Sequence, residues 1–384
     1  MNTYGERAAT LVGGQGASLY DEKGKKYLDA LSGIAVCGLG HSHPQLSLAI
    51  SEQASKLMHC SNFFSIPSQQ QLAKKLCQIS GMTNVFFSNS GAEANEAAIK
   101  IARLHGNKKG IKLPTVLVMD NAFHGRTLAT LTASGSRKIQ AGFEPLVSGF
   151  VRGPFNDIDA LRTIADNNPD ICAVFVEPIQ GEGGINLSSP DYLKQLRDLC
   201  DELDWLLMLD EVQTGNGRTG KYFYHQHSGV TPDVITTAKG LGNGMPIGAC
   251  LASGNAAHLM QPGNHGSTFG GNPLACSLAL KVVELLESGD IYERATAIGD
   301  IIMQGLASEL KDVEHVKDIR GCGCMIGVEL TKPCKSLYTE ALKQGLIINV
   351  TAESVIRLLP PMIMTDQEAH QVVSILAPLI KDFQ

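Results

Sequence analysis

The sequence lacks long apolar runs, an excess of basic residues and paired cysteine motifs. No apolar run approaches the roughly 18 to 20 residues of a membrane span, and the first stretch, MNTYGERAATLVGG, lacks the apolar core of a secretory signal. The net charge of −6 gives no electrostatic argument for a nucleic acid or an anionic membrane as partner. These absences favour a cytoplasmic protein that binds small molecules.

Metal and dinucleotide motifs are also missing. Cys322 and Cys324 stand close together, in GCGCMIG, but two thiols cannot complete a tetrahedral zinc site, and they alternate like the residues of a short strand. The patterns GLGNG and GCGCMIG do not fit GxGxxG between a strand and a helix. We therefore expect no bound metal and no dinucleotide, and we expect the ten cysteines to serve packing in a reducing compartment.

What the sequence does contain is a repeated alternation of short apolar runs and helical segments. Runs such as TVLVMD, ICAVFV and LLMLD are short and bounded by turn residues, which is typical of strands buried on both faces of a parallel sheet. From about Cys276 onwards, helices are mixed with short strands such as RGCGCMIGVEL and GLIINV. The 384 residues are therefore expected to form an α/β domain and an α+β domain.

Two charged residues, Asp210 and Lys239, follow the ends of two apolar runs and stand 29 positions apart. Because the carboxyl ends of parallel strands face the crevice where ligands bind, both side chains are expected at one site. Taken alone, such a pair is more often an ordinary salt bridge. A lysine that binds an aldehyde covalently and an aspartate that holds a protonated pyridine nitrogen are, however, the two protein groups that pyridoxal phosphate needs.

A second feature is a predicted helix that begins with the small residues Ser90, Gly91 and Ala92, in SNSGAEANEAAIKIARLHG. Unpaired N–H groups and the helix dipole favour a phosphate at such a start, although these residues are equally consistent with an ordinary capped helix. Phe123 follows the run TVLVMD, at the end of a predicted strand. Its side chain is either a hydrophobic plug or one wall of the ligand site.

The segments LMLDEVQTGNGRTG and PDVITTAKGLGNG resemble the signature of the class III aminotransferases, the ω-aminotransferase group of the fold type I pyridoxal phosphate enzymes. The resemblance runs from YLDALSGIAV to RLLPP and includes NSGAEANE, AFHGRT and HGSTFGGNP. It implies an α/β fold with a large domain on a mainly parallel central sheet and a smaller α+β domain. The implied division is 1–45 for the N-terminal part of the small domain, 46–275 for the large pyridoxal phosphate domain and 276–384 for the C-terminal small domain.

The resemblance also implies a cofactor, pyridoxal 5′-phosphate, and the residues that bind it. Lys239 is expected to carry the cofactor and to act as general base and acid, and Asp210 is expected to keep its pyridine nitrogen protonated. Thr268 is implied to reach the cofactor of a partner subunit, which implies a homodimer with shared active sites. Ser90, Gly91 and Ala92 are implied to bind the phosphate. Phe123 is implied to stack on the ring, and Gln213 to lie near its phenolic oxygen.

Three further residues are implied to manage substrate carboxylates. Arg126 of HGRT and Arg357 of IRLLPP supply guanidinium groups, which bind carboxylates through two parallel hydrogen bonds. Glu182 of QGEGG is implied to pair with Arg357 while the amino donor is bound and to release it in the second half of the reaction. One site then accepts both an amino donor and 2-oxoglutarate, which leaves as glutamate.

Within the family, the resemblance is greatest to the branch that transfers the δ-amino group of N2-acetyl-L-ornithine to 2-oxoglutarate. The products are N-acetyl-L-glutamate 5-semialdehyde and L-glutamate, in arginine biosynthesis. Gly33 or Ile34 takes the place of a tyrosine that meets the free α-amino group of ornithine in another branch, which leaves room for an acylated amine. The departures from the family pattern, Cys37 with Gly38 and Asn216, touch no position to which chemistry is assigned. Cys37 is expected near the donor pocket and leaves the acyl preference open.

Alternatives remain at this stage. Succinylornithine, succinyldiaminopimelate or free ornithine are other candidate donors, because a hydrophobic pocket separates near analogues by only about 1 to 3 kcal/mol. A glutamate-1-semialdehyde aminomutase shares the fold and the lysine but needs no 2-oxoglutarate. A non-catalytic binding protein on the same scaffold is disfavoured by the joint presence of Lys239, Asp210, Phe123, Arg126 and Arg357.

Overall fold

The computed structural model describes residues 1–383, in which strands and helices alternate along most of the chain. The strands are β1 Leu11–Gln15, β2 Ser18–Asp21, β3 Lys26–Asp29, β4 Asn84–Ser88, β5 Thr115–Met119, β6 Phe150–Gly153, β7 Ile171–Val176, β8 Ile179–Gln180, β9 Asn186–Leu187, β10 Leu206–Asp210, β11 Val234–Thr237, β12 Gly248–Ala252, β13 Val316–Cys322, β14 Met325–Leu330, β15 Leu346–Ile347, β16 Asn349–Thr351 and β17 Val355–Leu358. The α-helices are α1 Ser32–Ala35, α2 Pro44–Ala54, α3 Pro67–Ser80, α4 Gly91–Lys108, α5 Leu128–Ala133, α6 Arg137–Gln140, α7 Ile158–Asn167, α8 Tyr192–Leu203, α9 His225–Ser228, α10 Pro273–Ser288, α11 Ile291–Leu310, α12 Ser336–Lys343 and α13 Asp366–Lys381.

A seven-stranded sheet forms the centre of the molecule, with the strand order β4-β12-β11-β10-β7-β5-β6. Strands β6, β5, β7, β10 and β11 are parallel neighbours, and only β12 runs antiparallel to the strands beside it, β11 and β4. Every residue of β5, β7 and β10 is buried. The prediction of a mainly parallel central sheet is therefore confirmed.

Helices cover both faces of this sheet, which is why its strands are apolar throughout. On one face, small residues of α4 let that helix pack closely on the strands; this cluster contains Ala97, Ala98, Ile101, Ala102, Val116, Phe175 and Met208. On the other face, α7 and α8 supply larger leucines; this cluster contains Leu117, Leu161, Val174, Leu193, Leu196, Leu199 and Leu207. The polar ends of the parallel strands are left at one edge of this three-layer arrangement.

The remaining strands form two smaller sheets beside the central one. The first has the order β13-β14-β17-β16 and is antiparallel throughout. The second has the order β1-β2-β3-β15, in which β3 and β15 pair in parallel through Leu28 and Leu346. Segments from the beginning and the end of the sequence thus share one sheet. The division at 45/46 and 275/276 stays a prediction, and its second boundary falls in the first turn of α10.

The segment RGCGCMIGVEL is not one short strand, as its alternation indicated, but a hairpin. Strand β13 ends at Cys322 and β14 begins at Met325, so Gly323 and Cys324 form a two-residue turn. Gly323 has a φ of 54°, a left-handed conformation that glycine adopts without steric cost. The alternation of residue types with a period of two continues through the turn, so the sequence did not show where one strand ends and the next begins.

Among residues 1–383, none of the helices combines the length and the apolar character needed to cross a bilayer.

Candidate active site

A cavity of about 410 Å³ lies at the carboxyl ends of β10 and β11. Residues from seven separate parts of the chain line it, and they include most of the residues singled out in the sequence. Those are Ser90, Gly91, Ala92, Phe123, Arg126, Asp210, Gln213 and Lys239. The cavity is large enough for a small cofactor together with part of a substrate.

Asp210 ends β10, and its buried carboxylate is held from three sides. Its Oδ2 accepts a hydrogen bond of 2.8 Å from Asn95 Nδ2 and lies 2.8 Å from His124 Nδ1, while its Oδ1 accepts one of 3.0 Å from the Val212 N–H. The His124 ring stacks on Phe175, with ring centroids 4.2 Å apart. The orientation of the Asp210 carboxylate is therefore fixed before any ligand binds.

Asn95 and His124 were not singled out in the sequence, although both stand in motifs that were quoted, GAEANE and AFHG. Each has a buried polar atom, Asn95 Oδ1 and His124 Nε2, without a hydrogen-bond partner among residues 1–383. Asn95 and His124 could have been identified as polar residues inside motifs that were assigned to phosphate binding and ring binding. In the structure both residues also support Asp210.

Lys239 follows β11 at the start of a 3₁₀ turn, Lys239–Leu241, with a φ of 44°. Burial lowers the pKa of its ammonium group, the nearby charge of Arg357 lowers it further, and the carboxylates of Glu182, Asp210 and Glu177 oppose this shift. A lysine in this setting has a larger share of neutral, nucleophilic amine at neutral pH than a surface lysine.

Asn216, a departure from the family pattern, bonds no residue to which chemistry was assigned, but it supports the chain just before Lys239. Its Nδ2 donates to Thr237 Oγ1 at 2.9 Å and to the Ala238 carbonyl at 3.2 Å. Its Oδ1 accepts a hydrogen bond of 3.2 Å from the Tyr222 hydroxyl. The amide is buried and fully engaged, so it positions the end of β11 from which Lys239 projects.

Arg357 lies in β17 and is completely buried, next to the cavity. Its Nη1 donates to Glu182 Oε1 at 2.6 Å and contacts Gln213 Oε1 at 3.4 Å, and its Nε donates to Asn349 Oδ1 at 3.0 Å. The side chain of Glu182, in contrast, is 33% exposed. The structure thus brings Glu182, Gln213 and Arg357 together, with Gln213 as the link to the cavity wall.

Arg126 and Thr268 occupy different surroundings. Arg126 is exposed at the cavity and its guanidinium carbon lies 5.6 Å from the centre of the Phe123 ring. Thr268 is exposed and lines another cavity, of about 860 Å³, with Phe63 and Phe86. Within one chain the structure therefore does not bring Thr268 together with Lys239.

The start of α4 is built from close backbone approaches. The Ser90 hydroxyl accepts a hydrogen bond from the Glu93 N–H, which caps the helix. A Cβ at Gly91 would lie 2.8 Å from Val212 Cγ1, so that position requires glycine. The 18 residues of α4 direct the helix dipole and its first N–H groups at the cavity wall, which is a favourable place for an anion.

Glu177, at the end of β7, is a further buried carboxyl group of the cavity wall. Burial and the neighbouring charge of Asp210 raise the pKa of Glu177 well above its ordinary range. Its Oε2 accepts a hydrogen bond of 2.8 Å from the Phe123 N–H, so it fixes the loop that carries this ring. Its position directly after an apolar run was the signal in the sequence, the same signal that indicated Asp210.

The segment before the cavity has an unusual backbone. Ser32, Gly33, Ile34 and Ala35 all have positive φ, and the value of 68° for Ile34 is rare for a β-branched residue. Ile34 packs against the cluster of Ile179, Ile185, Met325 and Leu359. Val36, two residues further, lines the cavity. Such strain persists only where the surrounding structure holds it.

The residues present fit pyridoxal phosphate. Asp210 offers a buried, oriented carboxylate to a protonated ring nitrogen, Lys239 offers an amine of lowered pKa to an aldehyde, Phe123 offers an aromatic face, and α4 offers an anion site. No group of three or more His, Cys, Asp or Glu residues in the described part of the chain is arranged to hold a metal ion.

Comparisons with known proteins agree with this geometry. The sequence model of the class-III aminotransferases matches residues 3–380. The chain is 54% identical to the acetylornithine aminotransferase of Nitrosomonas europaea, over all of this chain and 98% of that protein. It is 50% identical to acetylornithine aminotransferase 1 of Bordetella parapertussis, over all of this chain and 97% of that protein.

Solved structures give the same result. The ornithine aminotransferase of Toxoplasma gondii superimposes with a TM-score of 0.94 at 32% identity, over 98% of this chain and 91% of that one. The N-acetylornithine aminotransferase of Stenotrophomonas maltophilia does so with a TM-score of 0.86 at 36% identity, over 99% of this chain and 97% of that one. By fold and by sequence, the chain belongs to the class-III aminotransferases, which are fold type I enzymes that use pyridoxal phosphate.

Proposed function

We propose that this chain transfers the δ-amino group of N2-acetyl-L-ornithine to 2-oxoglutarate, giving N-acetyl-L-glutamate 5-semialdehyde and L-glutamate, as a step of arginine biosynthesis. The observation that carries the proposal is a cavity lined by Lys239 and Arg126, with the buried Arg357 behind its Gln213 wall, in a chain 54% identical to an acetylornithine aminotransferase over its full length. Exposed Arg126 and buried, Glu182-paired Arg357 suit a site that takes two different carboxylate substrates in turn.

When bound, pyridoxal phosphate supplies a ring that accepts the electron pair of the C–H bond next to the transferred nitrogen. Lys239 Nζ removes the proton of that bond and later returns a proton, for which its lowered pKa suits it. Asp210 would hold the proton of the ring nitrogen, and Phe123 and Gln213 would orient the ring. Ser90, Gly91 and Ala92, at the start of α4, would hold the phosphate.

The carboxylates of the two substrates are divided between the two arginines. Arg126 at the cavity mouth receives the carboxylate of the acylated donor, while Glu182 neutralises Arg357. When 2-oxoglutarate or glutamate occupies the site, Glu182 turns away and Arg357 receives a carboxylate. The partial exposure of Glu182 gives its side chain room for this movement.

The direct test is a visible absorption experiment on the enzyme loaded with pyridoxal phosphate, without a keto acid. N-acetylornithine should bleach the band of the lysine-bound cofactor at least about tenfold faster than ornithine or γ-aminobutyrate, since a shaped pocket separates such analogues by 1 to 3 kcal/mol. Addition of 2-oxoglutarate should restore the band. Faster bleaching by succinylornithine, succinyldiaminopimelate or ornithine would move the substrate and keep the mechanism. Recovery without a keto acid would indicate an aminomutase.

The masking role of Glu182 predicts opposite effects on the two half-reactions. In Glu182→Gln, Arg357 loses its charged partner, so a charge-assisted hydrogen bond is weakened and the guanidinium is available to carboxylates throughout the cycle. We expect the KM for 2-oxoglutarate to fall and the half-reaction with N-acetylornithine to slow, each by about tenfold. Single-turnover absorption measurements separate the two halves.

The matched control for this experiment is Glu202→Gln. Glu202 Oε2 also lies close to an arginine, 2.8 Å from Arg162 Nη1, but in α8 and outside the residues that line the cavity. Its substitution should leave both half-reactions unchanged. If Glu182→Gln behaves like this control, the masking hypothesis is wrong.

A homodimer with shared active sites is part of the same proposal. Large apolar side chains, namely Phe63, Phe64 and Phe269, are exposed around the cavity that Thr268 lines. An apolar surface of this kind is typical of a protein interface, which supports the proposed contact of Thr268 with a second subunit. All ten cysteines are unpaired thiols, which supports the predicted cytoplasmic location.

A further inference from the structure

Arg357 is held by a residue that no part of the proposed mechanism uses, Asn349. Strands β16 and β17 pair antiparallel, with Asn349 directly opposite Arg357. Asn349 Oδ1 accepts a hydrogen bond of 3.0 Å from Arg357 Nε. Because arginine has no acceptor, the oxygen of the Asn349 amide is the atom that must face it.

The hydrogen-bond donors of Arg357 can be assigned one by one. A guanidinium has five N–H groups, one on Nε and two on each terminal nitrogen. Nε is engaged by Asn349, and Nη1 by Glu182 and Gln213. Nη2 is buried and has no hydrogen-bond partner in residues 1–383. The unpaired donors therefore all lie on Nη2, which shares the side edge of the guanidinium with Nε and the end edge with Nη1.

This distribution leaves one way for a carboxylate to bind with two hydrogen bonds. A guanidinium offers a side edge, which includes Nε, and an end edge, formed by Nη1 and Nη2. Asn349 occupies the side edge. Once Glu182 releases Nη1, the end edge is complete, because Nη2 is already free.

We propose that Asn349 is the positioning residue that fixes Arg357 for end-on binding of the carboxylate of 2-oxoglutarate and glutamate. The inference rests on the proposed function, in which Arg357 binds that carboxylate. Asn349 itself touches no substrate. Its effect is to hold the plane of the guanidinium while the Glu182 carboxylate moves in and out.

The short strand β16 contacts both partners of the ion pair between Arg357 and Glu182. Thr351, two residues after Asn349 and on the same face of the strand, donates its hydroxyl to the backbone carbonyl of Glu182. The backbone of Glu182 is thus tied to β16, whereas its carboxylate is partly exposed. Arg357 is completely buried. The arginine is fixed and the glutamate side chain is the element that moves.

The test measures both half-reactions of Asn349→Ala in the enzyme loaded with pyridoxal phosphate. With the Nε acceptor removed, the guanidinium can rotate, so we expect the KM for 2-oxoglutarate and for glutamate to rise about tenfold. The KM for N-acetylornithine and the kcat should stay within about twofold, because Arg126 serves the donor. Asn349→Gln, which keeps the amide on a longer side chain, should recover part of the loss and also replaces the alanine variant if that variant does not fold.

Two comparison variants make the result decisive. Asn168→Ala removes a half-buried asparagine that bonds the Ile164 carbonyl in α7, far from the cavity, and should change neither half-reaction. Arg357→Ala tests the proposed function itself: an unchanged KM for 2-oxoglutarate there would remove the role of Arg357. The role of Asn349 is refuted, while the proposed function stands, if Arg357→Ala raises this KM and Asn349→Ala leaves it within twofold. The same conclusion follows if Asn349→Ala weakens both half-reactions equally.

Discussion

Lys239→Ala is expected to reduce turnover by about 10⁴-fold or more. The substitution removes the group that both carries the cofactor and transfers the proton, and a positioned acid–base group alone contributes roughly 10²- to 10⁴-fold. Lys239 is the lysine of the cavity wall, and its pKa is lowered by burial, so its amine is suited to both tasks. Turnover with N-acetylornithine and 2-oxoglutarate measures the loss, and visible absorption reports whether the lysine-bound form of the cofactor is gone.

The folded state should survive this change. Lys239 makes no side-chain ion pair within residues 1–383, and its removal takes away a buried amine whose charged form is disfavoured by burial. Lys221→Ala, at an exposed position of the loop between β10 and α9, is the matched control and should keep full activity. Normal turnover in a folded Lys239→Ala protein would refute the central assignment. Loss of activity in both variants would point to a general effect of lysine removal.

The central sheet and the pair Asp210 and Lys239 could be predicted because both depend on local patterns. A strand covered by helices on both faces is apolar throughout, and the first polar residue after it marks its carboxyl end. Strands β10 and β11 are parallel neighbours, and Asp210 pairs with Thr236, three residues before Lys239. Because the two strand ends are adjacent, both side chains lie at one cavity, and the strand pattern of the sequence was sufficient to predict this.

The supporting residues could not be predicted in this way. Asn95, His124 and Asn216 stand in a helix and in two loops, where no periodicity distinguishes an inward side chain from an exposed one. Their roles follow from contacts between segments up to 115 positions apart, as between Asn95 and Asp210. Asn349 is a comparable case, since its partner, Arg357, is identified only when the register of β16 and β17 is known.

Thr268 illustrates a different limit. The resemblance implied contact with the cofactor of a partner subunit, and the single chain places this residue at a second cavity among exposed phenylalanines. Hydrophobic residues at an interface between subunits follow the same patterns as residues of a core. Sequence periodicity therefore does not distinguish the two, and the dimer stays a prediction.

The electrostatic state of the cavity follows from burial. Two carboxyl groups, Glu177 and Asp210, lie at adjacent strand ends, and both cannot easily be charged in a buried site. Burial and the charge of Asp210 raise the pKa of Glu177, which favours its protonated form. The Asp210 carboxylate accepts hydrogen bonds from Asn95 Nδ2 and the Val212 N–H, so it is the oriented acceptor available to a protonated ring nitrogen.

Asp210→Ala is expected to lower kcat by about 10²- to 10³-fold, because it removes a preorganised charge from the place where charge changes during the reaction. Affinity for pyridoxal phosphate should also fall. A cofactor methylated on its ring nitrogen, which is permanently positive, should restore part of kcat in this variant. The same cofactor should not raise kcat in the wild type. Steady-state kinetics with each cofactor form measure the difference.

The matched control is Asp233→Asn. Asp233 Oδ2 accepts hydrogen bonds from Arg197 Nη1 and the Leu207 N–H, both at 2.8 Å, so it is another partly buried carboxylate of the same sheet, outside the cavity. Its substitution should lower the melting temperature and leave kcat unchanged. Partial rescue of Asp210→Ala by the methylated cofactor would assign the lost activity to the charge on the ring nitrogen. If the methylated cofactor fails to raise kcat although it binds, Asp210 acts by holding the structure of the site, through Asn95 and His124, and the proposed electronic role is wrong.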